Sequence, residues 1–163
     1  MYYFAYGSNM SQQRIQSRCP SARSMGMFHL KGHLLSFNKA GKDGSGKGNV
    51  VATNNEQAVV YGVVFDIIDS EITDLDQAEG LGIDYSKHTV SVIGQNNNTI
   101  DALIYIALLT DDNLKPYHWY KTHLLTGALE ANLPHQYIQT IRNTESIADP
   151  NKQRTNHELA IYR

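Results

Sequence analysis

Glu79 is the side chain in this sequence whose position most suggests chemistry. It closes the segment Asp69–Gly80, DSEITDLDQAEG. Laid on a helix at about 100° per residue, Ile72, Leu75 and Ala78 form an inward stripe. Glu79 falls one turn after Leu75 and two turns after Ile72, inside that stripe. Asp74 points away and Asp76 lies at the margin. A carboxylate aimed at a core is costly unless it is paired or used. As the last residue before Gly80 it also meets the negative end of the helix dipole, so dipole and burial both disfavour its charge. A glutamate tuned toward neutrality makes a good general base. A frayed helix end, with Glu79 in solvent, is the competing reading and on pattern alone slightly the commoner one.

A second feature stands at the start, in MYYFAYGSNM. Residues 2–6 read as a buried strand that runs into Tyr6-Gly7-Ser8-Asn9, directly before an expected helix over Ser11–Arg18. Gly7 lets backbone approach a ligand that a side chain would block. Amides of Ser8 and Asn9 at a helix start suit a carboxylate or a developing oxyanion. Gly-Ser-Asn is not the Gly-x-Ser-x-Gly elbow of a serine hydrolase, so Ser8 is not read as a nucleophile. Cys19, the only cysteine, would need a histidine and an orienting residue to act as one.

Other patterns carry less. GKDGSGKG, Gly41–Gly48, contains the Gly-x4-Gly-Lys core of a P-loop, but Gly48 replaces the required Ser or Thr and a strand follows instead of a helix. It reads as a mobile loop between strands. His29 and His33 lie four apart, the zinc spacing on a helix, but their segment reads as a strand with Gly32 inside it, and His118 and His123 lie five apart, which does not stack on a helix, so no structural zinc is expected. Tyr85 and Tyr120 are candidate pocket hydroxyls among ten tyrosines, most of which will be packing residues with a polar tip.

The elements that must hold these residues are legible in outline. Met27–Phe37 reads as a strand interrupted at Gly32. VVAT and QAVVYGVVFDII are strands parted by a turn at Asn54-Asn55. The second is apolar on both faces, which suits a central strand. HTVSVIG and NTIDALIYIALL form a hairpin across residues 95–98. Lys115–Leu129 and Pro134–Ile141 read as helices. Strands with helices between and after them indicate an α+β fold. Residues 1–143 read as one domain, and 144–163 as a polar, loosely attached tail. With 41% hydrophobic and 18% charged residues and a net charge of −2, the chain has no electrostatic footprint for nucleic acid or an anionic membrane. It has no apolar run long enough to span a bilayer and no signal-peptide pattern, and a cytoplasmic location is the default. The oligomeric state is not encoded in any pattern here.

FAYGSN at the start and LDQAEG in mid-chain, taken together, resemble the γ-glutamylcyclotransferase family, which includes γ-glutamylamine cyclotransferases and AIG2-like proteins. The resemblance continues through YGVVFDI and WYKTHLLTGALEANLPHQYI and covers most of residues 2–141. It implies a small mixed β-barrel flanked by helices. It implies cyclisation of a γ-glutamyl group to 5-oxoproline, with release of an amino acid or amine. Glu79 matches the catalytic glutamate. Tyr3, Phe4, Ala5, Tyr6, Gly7, Ser8 and Asn9 match the substrate-cradling strand and loop, and Tyr85 and Tyr120 the pocket tyrosines. After Glu79-Gly80 the chain is shorter than usual, with Asp84 just before Tyr85.

In that reaction the nucleophile is the substrate's own α-amino group, so no enzyme Ser or Cys is needed. Glu79 would take its proton and return it to the leaving nitrogen. No metal, nucleotide or other cofactor enters, and the implied partner is a small γ-glutamyl compound. Two alternatives keep the same residues: a module that binds γ-glutamyl metabolites without turnover, and a hydrolase in which Glu79 activates water.

Overall fold

The computed structural model describes residues 1–163. Five strands close into a barrel in the order β1-β5-β2-β6-β7: β1 Tyr2–Ala5, β2 Arg23–Lys31, β5 Val59–Asp66, β6 Tyr85–Gly94 and β7 Thr99–Ala107. All neighbours are antiparallel except β1 and β7, which close the barrel in parallel at Tyr3 and Leu103. The fold is therefore α+β with a small mixed barrel, as the sequence and the resemblance suggested. β5 is paired on both sides, with β1 and β2, which explains its two apolar faces.

The strand expected over Met27–Phe37 is two strands. The chain turns at Gly32, and β3 (His33–Ala40) leaves the barrel to pair with β4 (Gly46–Ala52) in a separate hairpin. The glycine-rich stretch is thus not a loop throughout. Only residues 42–45 turn, and Gly46-Lys47-Gly48 already belong to β4.

Helices pack around one end of the barrel: α1 Gln12–Gln16, α2 Ile72–Glu79, α3 His118–Glu130, α4 His135–Asn143 and α5 Lys152–Leu159. None is long and apolar enough to cross a membrane. The largest apolar cluster lies between these helices and the barrel and includes Ile15, Phe65, Leu75, Tyr105, Leu124 and Ile141. A second cluster, with Phe4, Val60, Val64 and Ile104, fills the barrel. Successive strand residues point to opposite sides, so Tyr3 and Ala5 face the helices while Phe4 faces the barrel interior.

The segment after Asn143 is not loosely attached. Tyr117 and Ile147 form a bridge, in which the His118 amide donates to Ile147 and the Ile147 amide to Pro116. The buried Asp149 carboxylate accepts from Trp119 Nε1 at 2.8 Å and from two nitrogens of Arg154 at 2.6 and 2.7 Å. Arg154's hydrogen-bonded guanidinium, helped by Trp119 and the Asn151 amide, holds that carboxyl well below the usual range. Polar composition suggested a tail because the contacts that tie it down, from Asp149 to Trp119 and from Ile147 to Pro116 and His118, reach residues about thirty positions away.

Candidate active site

Glu79 is the last residue of α2, which Gly80 ends in a left-handed turn at φ 67°. Ile72 and Leu75 are buried as the stripe requires, and Glu79 lies in line with them and half-sheltered rather than frayed into solvent. Ala78, expected in the stripe, is exposed at the cavity edge. The Glu79 carboxylate is not left to bear its burial alone. Its Oε1 accepts from Asn9 Nδ2 at 2.8 Å and from Arg18 at 2.9 Å. Arg18 also donates to Asn9 Oδ1 at 2.8 Å, and Asn9 Nδ2 reaches the Tyr3 hydroxyl at 3.1 Å. A closed triad of Glu79, Arg18 and Asn9 results. Oε2 of Glu79 accepts no protein hydrogen bond.

Tyr6-Gly7-Ser8-Asn9 lies beside this triad. Ser8–Met10 is a single 3₁₀ turn, and α1 begins only at Gln12. The expected helix N-terminus is therefore absent at Ser8, and with it the macrodipole of a long helix. What remains is local: Met10 and Ser11 amides bond back to Gly7 and Ser8, while the Gly7 amide has no protein acceptor. The turn is pressed in place by α3. A Cβ on Gly127 would stand 2.2 Å from the Met10 carbonyl carbon and 2.3 Å from the Ser11 nitrogen, so only glycine permits this approach.

The opposite wall is Gly48, from the stretch that resembled a P-loop. Its amide donates to the Tyr120 hydroxyl at 2.7 Å, and its carbonyl accepts from the Tyr85 hydroxyl at 3.1 Å. The two tyrosines thus hold Gly48 from both of its flanking peptide groups. A Cβ on Gly48 would lie 3.0 Å from the Tyr120 oxygen and 3.5 Å from Gly7 Cα. Gly7 and Gly48 therefore face each other across the Tyr120 hydroxyl. Burial raises the pKa of Tyr3, Tyr6, Tyr85 and Tyr120, and the Glu79 charge adds to the rise in each. All four stay protonated at neutral pH, so none can serve as a base.

These residues surround one cavity of about 300 Å³. Tyr3, Tyr6, Gly7, Ser8, Asn9, Glu79, Tyr85 and Tyr120 all line it. Phe4 and Ala5 do not: both are fully buried, Phe4 inside the barrel and Ala5 under the helices. Tyr6 spends its hydroxyl on the Tyr105 carbonyl and presents only its ring.

Residues 59–141 match the model of the AIG2-like family. γ-Glutamylcyclotransferases of Bos taurus and Homo sapiens are each 32% identical to the chain over 148 residues, 88% of this chain and 78% of theirs. The chain belongs to this γ-glutamylcyclotransferase, AIG2-like family. A solved structure titled γ-glutamyl cyclotransferase superposes with a TM-score of 0.89 at 25% identity, covering 99% of this chain and 98% of that one.

Within this member of the family, sequence reasoning missed most of the charge in the cavity. Arg14, Arg18, Lys39, Lys42, Lys47 and Arg154 line it, against Asp43, Glu79, Asp84 and Glu158. A chain of net charge −2 therefore presents a cavity with a cationic excess, which suits an anionic ligand. Arg14 and Arg18 could have been found, since residues four apart share a helix face. Lys39 and Asp84, paired at 2.7 Å, come from β3 and the loop before β6, and no local pattern joins them. Lys47 is held by Asp43 at 2.7 Å and sits 4.5 Å above the Trp119 ring. Residues outside the cavity fit the plain readings. Burial, with Glu71 nearby, pushes the Cys19 thiol up to about 11, which makes it a poor nucleophile. His29 and His33 stand on different sheets.

Proposed function

We propose that the protein is a γ-glutamylcyclotransferase that converts a γ-glutamyl compound to 5-oxoproline and a free amine or amino acid, with Glu79 as general base and then general acid. The observation that carries this reading is the Asn9–Glu79 hydrogen bond at 2.8 Å between residues 70 apart in the chain. It brings the Glu79 carboxylate beside the Gly7-Ser8 turn in a single cavity.

The chemistry follows from the substrate. Its α-ammonium gives a proton to Oε2 of Glu79, the oxygen with no protein partner. The freed amine attacks the γ-carbonyl carbon, closing a five-membered ring. The carbonyl oxygen gains negative charge, the proton on Glu79 passes to the leaving nitrogen as the C–N bond breaks, and the second proton that the new ring nitrogen sheds is taken up by the freed amine, which departs as an ammonium. Both reacting groups belong to one molecule, so holding it folded supplies much of the rate. The Gly7 amide and the Tyr120 hydroxyl offer donors to the oxyanion or the α-carboxylate. Arg18 and Asn9 fix Oε1, so the carboxylate is oriented with one oxygen free. Tyr3, Tyr6 and Tyr85 shape the walls. A cytoplasmic location belongs to the same proposal and rests on composition.

Glu79→Gln tests this reading. The amide keeps an oxygen for Arg18 but cannot take a proton. Release of 5-oxoproline should fall roughly a hundred- to ten-thousandfold, while calorimetry still detects substrate binding. Normal turnover by this variant would remove Glu79 as the base. Free glutamate as the product would replace cyclisation with hydrolysis.

A further inference from the structure

Asp76 is a carboxylate on α2 that the proposed mechanism does not use. It stands one turn before Glu79, so the two side chains share a side of the helix. Two carboxylates one turn apart, at the negative end of a helix, disfavour the turn that carries them. α2 has only eight residues, too few to hold its last turn by propagation alone. Contacts from outside the helix have to fix that turn.

Asp76 makes them in two ways. Its carbonyl accepts from the Leu81 amide at 2.9 Å, and the Gln77 carbonyl accepts from the Gly80 amide at 3.1 Å, the paired bonds with which a helix closes on a left-handed glycine. Its half-buried carboxylate reaches the barrel: Oδ1 accepts from the Tyr105 hydroxyl at 2.7 Å, and Oδ2 accepts from Lys87 Nζ at 2.7 Å. Tyr105 is buried on β7, and Lys87 stands on β6. Burial and the bond to Asp76 both push the Tyr105 hydroxyl up, so it remains a donor.

Tyr105 also supports the other half of the site. Its carbonyl accepts from the hydroxyl of Tyr6, the residue before Gly7. Its ring meets that of Tyr3 edge-on, with centroids 5.7 Å apart, and the Tyr3 hydroxyl accepts from Asn9. Glu79, Asn9, Tyr3, Tyr105 and Asp76 therefore form a circuit that closes through one turn of α2. The helix that carries Glu79 and the turn that carries the Gly7 amide rest on one buried side chain. Lys87 makes no such connection, since its ammonium bonds only Asp76. We propose that Asp76 and Tyr105 are a positioning pair whose hydrogen bond sets the distance between Glu79 and the Gly7-Ser8 turn, with no part played by the Lys87 ion pair. The proposal rests on the cyclotransferase reading above.

Release of 5-oxoproline from γ-glutamyl-alanine is measured for Tyr105→Phe, Asp76→Ala, Asp76→Asn and Lys87→Met. Tyr105→Phe keeps the ring against Tyr3 and the carbonyl for Tyr6, and loses only the hydroxyl. Asp76→Asn keeps an acceptor for that hydroxyl. In Tyr105→Phe and Asp76→Ala, kcat should fall about 10- to 100-fold, the cost of misplacing reacting groups by about an ångström, with KM changed less than about threefold. Asp76→Asn should keep most of the wild-type kcat. Lys87→Met should stay within about twofold of wild type, because an ion pair partly open to water contributes little. The double variant Asp76→Ala/Tyr105→Phe should be no slower than the slower single variant, since both remove one bond. Calorimetry with the same probe in the Glu79→Gln background counts competent sites, so a partly unfolded sample is not read as slow chemistry. Additive losses in the double variant, a wild-type kcat in Tyr105→Phe, or a loss in Lys87→Met as large as in Asp76→Ala would each overturn the proposal. The Asn9 side-chain amide, followed by nitrogen-15 NMR, reads the geometry without turnover. Its signals should shift in Tyr105→Phe and Asp76→Ala and stay in place in Lys87→Met. If the wild type releases no 5-oxoproline, the cyclotransferase reading fails and these signals alone decide the positioning role; signals unmoved in Tyr105→Phe and Asp76→Ala overturn it.

Discussion

The grip of Tyr85 and Tyr120 on the two peptide groups that flank Gly48 Cα makes a quantitative demand. Tyr120→Phe strands the Gly48 amide, now bonded at 2.7 Å beneath a ring that is 5% exposed. A buried donor left without its partner costs about 1–3 kcal/mol. In a chain of this size each kcal/mol lowers the melting temperature by about 2–4 °C, so Tyr120→Phe should lower it by roughly 2–12 °C. Tyr85→Phe removes the donor to the Gly48 carbonyl, bonded at 3.1 Å. That loss should cost the lower end of the same range.

The two losses should not add. With one anchor gone, the Gly48 peptide can move toward solvent, and the second deletion then removes a bond already weakened. A double-mutant cycle by urea unfolding should give a coupling of about 0.5–3 kcal/mol between the two hydroxyls, with the denaturant slope unchanged. The KM for a γ-glutamyl substrate should rise in either single variant, because Gly48 packs against Gly7 in the cavity wall. Additivity within about 0.5 kcal/mol would show that the hydroxyls act separately, and the reasoning that they are coupled through Gly48 would be refuted.

Gly127→Ala should destabilise by about 1–3 kcal/mol and reduce turnover along with stability, because its Cβ would meet the backbone that carries the Gly7-Ser8 turn; wild-type urea midpoint and activity would contradict that packing. Stability should also fall on acidification. Burial lowers the His123 pKa below its ordinary value, so the unfolded chain binds its proton first, and the contribution of a neutral His123 is lost as pH falls below about 6.5. Urea midpoints measured from pH 7.5 to 5 should decline, and His123→Asn should flatten the slope; an unchanged slope would mean another group carries it.

Much of the fold was readable because its signals are local. The two-residue alternation of Tyr61, Val63, Phe65 and Ile67, the helical stripe of Ile72 and Leu75, and the stop at Gly80 each act over a few residues. Boundaries failed where tertiary pairing decided them. Gly32 looked like a flaw in one strand, whereas it is where the chain passes from the barrel to a second sheet. Gly46–Gly48 looked like loop because glycines disfavour strands on their own, and β3 supplies the pairing that overrides this. The helix start expected at Ser8 failed for a related reason: the turn is shaped by α3 pressing through Gly127, a residue far along the chain. Glu79 could be located by periodicity, but its ionic environment could not, since Arg18 reaches it from 61 residues away.

The triad resolves a tension that the helix pattern alone created. Dipole and burial both act against a charge at this helix end when the helix is taken alone. Arg18 and Asn9 supply compensating interactions, and both act on Oε1. Had they been divided between the two oxygens, each lone-pair direction facing the cavity would carry a competing donor, and transfer from an ammonium would have to break one of them. Gathering the compensation on Oε1 leaves Oε2 without a competing protein donor, as the proposed proton transfer requires. Asn9 has a further consequence: it joins the Glu79 carboxylate to the Gly7-Ser8 turn, so the proposed base and the proposed oxyanion donors are held together. An intramolecular cyclisation depends on how the folded substrate sits between those two groups, and a hydrogen bond that fixes their separation serves it more directly than any additional nucleophile.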